Sequence, residues 1–346
     1  MPDLEDCALL DLTDQRWLAF VTAHPQASIF HHPDWSNLLA KCYGFRPFVL
    51  VVQDRTGSIS AGTPLMEIQS LITGRRWVSL PFTDYCPPLY RDQGSLNLLT
   101  RELVRLEQNG NIPRIEVRWE LPPQPLIQVD CQYVLHTIEL NADPEVNAHL
   151  FHRTQRQNIR TAEKKGVQID RGDSLDQLRV FYHLHCLTRR RHGIPVQPWR
   201  FFELIFHNLI KKSLGFIMLA YQGNHPLAAG LFLHWQQTLT YKYAASGEEG
   251  QSLRPNHLLT WTAIRWGCKN GFRILDFGRT DLTDDGLRTF KNRWGSAELP
   301  LTYSTLSSKP IQTSSGILMS SMQSVIQKSP VWVCRAAGEI LYKHFA

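Results

Sequence analysis

The residue types that could do chemistry concentrate in residues 271–295, which read GFRILDFGRTDLTDDGLRTFKNRWG. The first part places Asp276 among strand-forming apolar residues and ends at Arg279, which predicts a short strand with a buried carboxylate. The second part begins with aspartates that can cap a helix and carries Phe290 and Lys291. The sequence therefore predicts a lysine ammonium beside the end of a strand. A desolvated cation at such a place stabilises the negative charge that develops on a carbonyl oxygen during acyl transfer.

A purely structural interpretation of the same spacing is also open. Phe290 and Trp294 are four residues apart, so they lie on one face of a helix and can both belong to the core. Lys291 would then be a solvated side chain whose stem covers apolar surface. The residue types alone do not choose between the two interpretations.

The motifs DFGRT and GLRTFKNRWG resemble the C-terminal signature of the FemAB-like acyltransferases, a branch of the GNAT superfamily that includes the BioF2-like acetyltransferase domain. The resemblance implies that the matching pair, Phe290 and Lys291, stabilises the acyl-transfer intermediate. It also implies an N-acyltransferase in which an acceptor amine attacks an activated acyl carbonyl directly. In such a reaction we expect Asp276 to orient Arg279 or to accept the amine proton through water.

A second constellation of charged residues is a stripe of cations in the segment HRTQRQNIRTAEKKG. Arg153, Arg156, Arg160 and Lys164 follow one another at spacings of three, four and four, which places them on one face of a predicted helix. The stripe suits an anionic part of a substrate. A solvated basic face without a ligand is the alternative.

Two tyrosines occur in a predicted strand that ends in the sequence LTYKYAAS. Strict alternation would put Tyr241 and Tyr243 on one face and Lys242 on the other. The family resemblance implies that this strand borders the acyl acceptor, so both tyrosines are candidate acceptor contacts. Ordinary aromatic residues of a sheet are the alternative.

The acyl donor stays open between acyl-CoA and aminoacyl-tRNA, and no permanently bound cofactor is expected. Members that use coenzyme A bind its pyrophosphate on backbone amides after this strand. The chain has no RxxGxG or RxxGxA sequence there, and Glu248 and Glu249 would repel phosphate. These features disfavour coenzyme A without excluding it, whereas aminoacyl-tRNA is the donor of the bridge-forming members of the family.

Composition bounds the class of protein. The 346 residues are 43% hydrophobic and 20% charged, with a net charge of +6, which is typical of a globular chain and does not require nucleic acid as a partner. Seven cysteines without a CxxC pair predict free thiols in a reducing compartment. His31 and His32 lack a third ligand at useful spacing, so we expect structural or capping roles and no metal site. The N-terminus lacks an apolar run, and the expected location is the cytoplasm, with peripheral contact at the inner face of the membrane as an option.

The order of predicted elements indicates how these residues are positioned. Helices, an antiparallel meander, a helix and a strand occur in that order twice, which is typical of an α/β protein of tandem acyl-CoA N-acyltransferase (GNAT-like) modules. We expect mixed, mainly antiparallel sheets flanked by helices. The expected domains are residues 1–143, residues 144–309, which include one long helix over 145–165, and a helical tail over 310–346. In the tail, helices are expected over 317–327 and 331–345. Docking of the tail on the second module is favoured over a position on an anionic membrane.

These patterns favour an N-acyltransferase that transfers an acyl or aminoacyl group to an amine. The family resemblance implies that the acceptor is a cell-envelope precursor, of peptidoglycan or polysaccharide, which is lipid-linked for many members. The alternative is a catalytically inactive tandem module that binds an envelope glycan or a partner protein. RNA binding alone is disfavoured, because the net charge is modest and basic and aromatic residues are not interleaved.

Overall fold

A computed structural model describes residues 6–70, 74–109, 112, 114–308, 323 and 325–345. The chain forms two compact units. The first contains Met1–Tyr133, Pro300–Gln312 and Lys343–Ala346, and the second contains Val134–Leu299 and Thr313–Tyr342. The predicted domain boundaries at 143 and 309 stay a prediction. The two compact units do not follow these boundaries, because Pro300–Gln312 belongs to the same unit as the N-terminal residues.

The first unit is a mixed sheet with helices packed against it. Its strands are β1 (Asp6–Leu10), β2 (Arg46–Gln53), β3 (Ile59–Ser70), β4 (Gly74–Val78), β5 (Leu89–Tyr90), β6 (Ile115–Val117) and the C-terminal part of β13 (Ala297–Leu306). Its helices are α1 (Gln15–Ala23), α2 (Pro33–Tyr43) and α3 (Gln93–Gln108). The strand order is β1-β2-β3-β4-β6-β13, and β5 pairs with β3. Pairing is antiparallel except between β4 and β6.

Helix α3 shows why the first unit folds as its sequence predicts. Leu96, Leu99 and Leu103 recur at helical spacing and are buried, and the latter two pack into the core of the first sheet. Asp92 caps the helix, since its carboxylate accepts a hydrogen bond from the Ser95 N–H at 2.9 Å.

The predicted roles of the two adjacent histidines are also seen. His32 caps α2 by accepting a hydrogen bond from the Asp34 N–H. His31 is fully buried, and its Nε2 lies 2.8 Å from the Pro87 carbonyl oxygen.

The second unit has a sheet in the order β7-β12-β11-β10-β9-β8. These strands are β7 (Ile127–Glu139), which begins in the first unit, β8 (Gln168–Gly172), β9 (Gly215–Gln222), β10 (His225–Trp235), β11 (Thr238–Ser246) and β12 (Ile274–Asp281). The helices are α4 (Pro144–Leu150), α5 (Arg153–Lys164), α6 (Leu175–His192), α7 (Trp199–Asn208), α8 (Pro255–Lys269), α9 (Asp285–Asn292) and α10 (Val331–Leu341). Strands β9, β10 and β11 form the predicted antiparallel meander, and β12 pairs with β11 in parallel.

The core of the second unit lies between its sheet and helices α5 and α8. Leu259, Ala263 and Ile264 of α8 are fully buried there. Trp294, which follows α9, is also fully buried, and its ring lies 5.0 Å from that of Phe151 in an edge-on contact. This packing fixes the end of the segment that carries Lys291.

Two predicted helices differ from the structure. The expected helix over 145–165 is wrong as a single element, because Phe151 and His152 have extended backbones that separate α4 from α5. The His152 side chain then caps α5 by accepting from the Thr154 N–H. Of the expected tail helices, most of 317–327 lies outside the described residues, whereas Val331–Leu341 is helical.

Candidate active site

Lys291 belongs to α9, and its side chain reaches the end of β12, beside the strand as the sequence predicts. Lys291 is buried, with only 6% of its surface exposed. The ammonium donates hydrogen bonds to the carbonyl oxygens of Gly278 at 3.0 Å and Arg279 at 3.1 Å. Two carbonyl dipoles thus solvate a buried cation, which is the condition under which a lysine keeps its charge away from water.

The local backbone of β12 creates this pair of acceptors. Gly278 has φ of +68°, a left-handed conformation that side chains other than glycine adopt at a cost. Its N–H donates to Asp276 Oδ1 at 2.7 Å, and Asp276 is 1% exposed. Asp276, Arg279 and Lys291, which the sequence singled out, are therefore brought together around Gly278. Their roles in chemistry stay a prediction.

Helix α9 positions the lysine. Asp284 caps the helix by accepting from the Leu287 N–H at 2.9 Å, as its place in the sequence predicts. Phe290 lies in an aromatic cluster, with its ring centroid 5.6 Å from His257 and 6.2 Å from Trp294. Its carbonyl accepts a hydrogen bond from Gln155 Nε2 at 3.4 Å. Phe290 thus serves the core packing of the structural interpretation and also fixes the orientation of its neighbour Lys291.

Strands β11 and β12 run side by side as far as the candidate site. Their register pairs extend from Thr238 with Ile274 to Thr240 with Asp276, and both strands continue beyond the last pair. Asp276 therefore marks the place where the register of the two strands ends. The ladder between β11 and β12 thus ends close to the carbonyl groups that hold Lys291.

The prediction that Tyr241 and Tyr243 share a face is wrong. The register of β10 with β11 shifts between Leu231, which pairs with Tyr243, and Phe232, which pairs with Tyr241. Lys242 is the extra residue of this β-bulge, and an extra residue reverses the alternation of side chains.

The two rings consequently have different neighbours. Tyr241 stacks on Phe232 with ring centroids 4.3 Å apart and packs against the core under α8. Burial raises the pKa of its phenol. Tyr243 lies 5.5 Å from both His185 of α6 and Phe202 of α7. The two tyrosines therefore share neither a face of the sheet nor a cleft.

Lys242 is a residue that the sequence did not single out as functional. It is 8% exposed, and its Nζ lies 5.4 Å from the centroid of the Tyr243 ring, within cation–π range. A buried cation in a bulge, two residues beyond the last register pair of β11 with β12, has the features of a functional residue. Strict alternation predicted only that Lys242 lies on the face opposite to both tyrosines, and no local sequence signal marks a bulge without glycine.

The cations of the stripe on α5 differ in their surroundings, since one bonds to the backbone of the protein and others are exposed to solvent. Arg156 donates to the carbonyl oxygens of Ala148, His149 and Phe151, at 2.9 to 3.3 Å, and so closes the end of α4. Arg153 and Arg160 are exposed. The predicted anion contacts of Arg153, Arg156 and Arg160 stay a prediction, and Arg156 already has a structural role.

A polar cluster next to Lys291 was not predicted from the sequence. Glu298, at the start of β13, accepts hydrogen bonds from Arg288 and Asn292 of α9 and lies 3.0 Å from Nε2 of His136 in β7. His136 is fully buried, and burial, followed by the charge of Lys291, lowers its pKa. His136 is far from the other members along the chain, so only the fold brings the cluster together.

Comparison with known proteins shows which families the chain resembles. Residues 151–292 match the acetyltransferase (GNAT) domain family. The UDP-N-acetylmuramoylpentapeptide-lysine N(6)-alanyltransferase of Weissella viridescens is 23% identical over 152 residues, which are 43% of this chain and 45% of that protein. The Lipid II:glycine glycyltransferase of Staphylococcus saprophyticus is 24% identical over 383 residues, covering 83% of this chain and 89% of that protein. The chain therefore aligns with less than half of the first relative and with most of the second.

The fold has a counterpart among solved structures. The crystal structure of FemX superposes with a TM-score of 0.67 at 16% identity, covering 86% of this chain and 96% of that one. The likeness to FemX confirms the α/β fold class. The family match and the curated relatives confirm the resemblance to FemAB-like proteins and support the assignment as an acyltransferase. Residues 151–292 are therefore similar to a GNAT-type domain. Among the described residues, no helix is long and apolar enough to cross a membrane.

Proposed function

We propose that this protein transfers an aminoacyl group from aminoacyl-tRNA to an amine of a peptidoglycan precursor in the cytoplasm. The observation that carries the proposal is the buried ammonium of Lys291, held by the Gly278 and Arg279 carbonyls within a FemAB-like signature. The names of the two relatives, an alanyltransferase and a glycyltransferase, support both the aminoacyl group and the precursor.

The reaction follows from this arrangement. The acceptor amine attacks the ester carbonyl of the donor, a C–N bond forms, and the bond to the tRNA 3′ oxygen breaks. Negative charge gathers on the carbonyl oxygen in the transition state, and Lys291 stabilises that charge from a fixed position. Asp276 takes the amine proton through water, and the proton passes to the departing oxygen. Most of the rate comes from orientation and charge stabilisation, without a covalent enzyme intermediate.

The features of the loop between β11 and α8 support aminoacyl-tRNA over acyl-CoA. Glu249 lies 3.6 Å from His225, and the neighbouring Glu248 adds a second negative charge where a pyrophosphate would approach. We expect Arg153 and Arg160 of α5 to contact the anionic groups of the donor or the acceptor.

The C-terminal helix supports a peripheral position at the membrane, where a lipid-linked acceptor is found. One side of α10 packs on α6, whereas Trp332 is 70% exposed and Val325, before the helix, is 61% exposed. Lys328 lies between them in the sequence and is also exposed. An exposed tryptophan and an exposed cation in one short segment suit the interface of an anionic bilayer.

Mass spectrometry of the reaction products tests the proposal directly. Purified protein is incubated with alanyl-tRNA, glycyl-tRNA or acetyl-CoA, each combined with UDP-N-acetylmuramoylpentapeptide or with Lipid II in detergent. We expect a mass increase of one aminoacyl residue with a charged tRNA and none with acetyl-CoA. Acetylation of the precursor would overturn the assignment of the donor. The absence of any product with all six pairs would favour the inactive binding module.

A further inference from the structure

We propose that Glu298 is a positioning residue that holds α9 in place and thereby sets the position of Lys291. The inference rests on the role proposed above for Lys291. Glu298 itself lies outside the signature that carries Phe290 and Lys291, and no sequence motif marks it as functional.

Glu298 connects with α9 at two places. Its Oε1 accepts from Arg288 Nη2 at 2.8 Å, and its Oε2 accepts from Asn292 Nδ2 at 3.0 Å. Arg288 and Asn292 are four residues apart, so they project from one side of the helix. Lys291 lies between them in the sequence and directs its ammonium to the carbonyls of β12. The helix is thus held by one carboxylate on one side and by Lys291 itself on the other.

A chain of hydrogen bonds leads from Glu298 back to β12. His136 Nε2 lies 3.0 Å from Glu298 Oε2, and His136 Nδ1 lies 3.4 Å from the hydroxyl of Thr280. Thr280 directly follows Arg279, whose carbonyl accepts from Lys291. The carboxylate therefore reaches both the helix that carries the lysine and the strand that supplies its acceptors.

The charge states of these groups suit this arrangement. Arg288, followed by smaller contributions from Asn292 and His136, lowers the pKa of Glu298 to about 2. The carboxylate is consequently ionised at neutral pH and accepts from all three partners. Burial and the Lys291 charge lower the pKa of His136, so its neutral form donates from Nε2 and accepts at Nδ1.

A loss of the carboxylate charge has a specific consequence for the lysine. Helix α9 has only eight residues, and a helix of that length is not stable without tertiary contacts. Replacement of Glu298 by glutamine keeps the volume but removes the ionic contact with Arg288 and one acceptor oxygen. We expect α9 to shift and the Lys291 ammonium to exchange between positions, because a catalytic group needs its supporting contacts to stay within about 0.5 Å of its place.

The experiment is a ¹H–¹⁵N correlation spectrum of lysine side-chain ammonium groups in the full-length protein. The Lys291 signal is assigned by its disappearance in Lys291→Met. In Glu298→Gln we expect this signal to shift or broaden, while the circular dichroism spectrum stays that of the wild type. Asn292→Ala removes a single contact of the same carboxylate and is expected to move the signal in the same direction by less. The matched control is Glu102→Gln, because Glu102 also pairs with an arginine, Arg105, at 2.6 Å but lies in the first unit.

Activity provides a second measurement once a donor and acceptor pair has been found. We expect Glu298→Gln to lower kcat about tenfold with KM within twofold, and to have no further effect in a Lys291→Met background. An unchanged Lys291 signal in Glu298→Gln and Asn292→Ala would overturn the positioning role. Full activity of Lys291→Met would instead overturn the proposed function, and the spectra would still decide the role of Glu298.

Discussion

Tyr241 and Tyr243 are two residues apart in β11, yet their rings lie on opposite faces of the sheet. Tyr241 stacks on Phe232 and packs under α8, whereas Tyr243 contacts Phe202 of α7. The bulge at Lys242 is the cause, since one inserted residue reverses the side-chain alternation. An acceptor that lies on one face of β11 can therefore contact at most one of the two rings.

A double-mutant cycle measures this arrangement. We expect Tyr241 and Phe232 to show a coupling of about 1 kcal/mol when both are replaced by leucine, because stacked rings stabilise a fold by roughly that amount beyond area burial. The combination of Tyr241 with Phe202 is the control and should be additive within about 0.5 kcal/mol. Urea denaturation supplies the free energies of unfolding. Strong coupling of Tyr241 with Phe202 would contradict the bulge.

Replacement of Lys291 by methionine tests the proposed charge stabilisation. We expect kcat to fall by about 10²- to 10³-fold with little change in KM, as happens when a preorganised donor to a developing oxyanion is removed. The matched control is Lys269→Met, which removes an exposed lysine at the end of α8. Both variants are assayed by product mass with the donor and acceptor pair that the wild type uses. Equal activity of Lys291→Met and the wild type would leave the mechanism without its cation.

The sequence predicted those parts of this site that depend on local patterns. The cap at Asp284, the lysine beside the strand end and the meander β9-β10-β11 all follow from residue types within about ten positions. The bulge at Lys242 was not predictable in this way, because a bulge depends on the pairing of two strands and no glycine marks it.

Contacts between distant segments account for the other differences. His136 meets Glu298 across 162 positions of the chain, and only the assembled sheet determines that pair. Arg156 was predicted to bind an anion because its spacing matched the stripe, but the carbonyls at the end of α4 use its guanidinium. The break between α4 and α5, which creates those carbonyls, was hidden in a continuous helical pattern.

His31 makes the stability of the first unit depend on pH. Burial lowers the pKa of His31 to about 4, and its neutral ring accepts from the Ser28 N–H at Nδ1 while Nε2 donates to Pro87. In the unfolded chain the same group titrates near 6.5, so between these values the unfolded state binds more protons. The contribution is fully present above pH 6.5 and is lost as the pH falls towards 4, by on the order of 3 kcal/mol.

The variant His31→Asn isolates this contribution. At pH 7 it should destabilise the protein by about 1–3 kcal/mol through the lost hydrogen bond, and the difference from the wild type should shrink as the pH approaches 4. Urea denaturation at pH 7, 5.5 and 4.5 supplies the comparison, with His207→Asn on the exposed side of α7 as the control. A difference that stays constant over this range would show that His31 is not the titrating group.

Gly338 allows α10 to lie close to the second unit. A β-carbon at this position would overlap the Val196 carbonyl oxygen, so Gly338→Ala should release the helix although alanine favours helices by about 1 kcal/mol. We expect faster hydrogen exchange across Val331–Leu341 in the variant and unchanged exchange in α8. The control Ala336→Ser alters an exposed position of the same helix. Equal protection of α10 in Gly338→Ala and the wild type would show that the contact with Val196 does not hold it.

Trp332 is the residue through which the tail should contact a membrane. With the other side of α10 packed on α6, its indole is exposed, and Lys328, four residues earlier in the sequence, is exposed as well. We expect the protein to float with vesicles that contain phosphatidylglycerol and to bind several-fold less to them after Trp332→Ala, because an indole at the interface adds apolar contact while anionic lipids attract the lysine. The control is Trp199→Phe, which replaces a second tryptophan near α10 and should leave flotation unchanged. Flotation that does not differ between Trp332→Ala and the wild type would remove the tail from the proposal and leave the chemistry at Lys291 untouched.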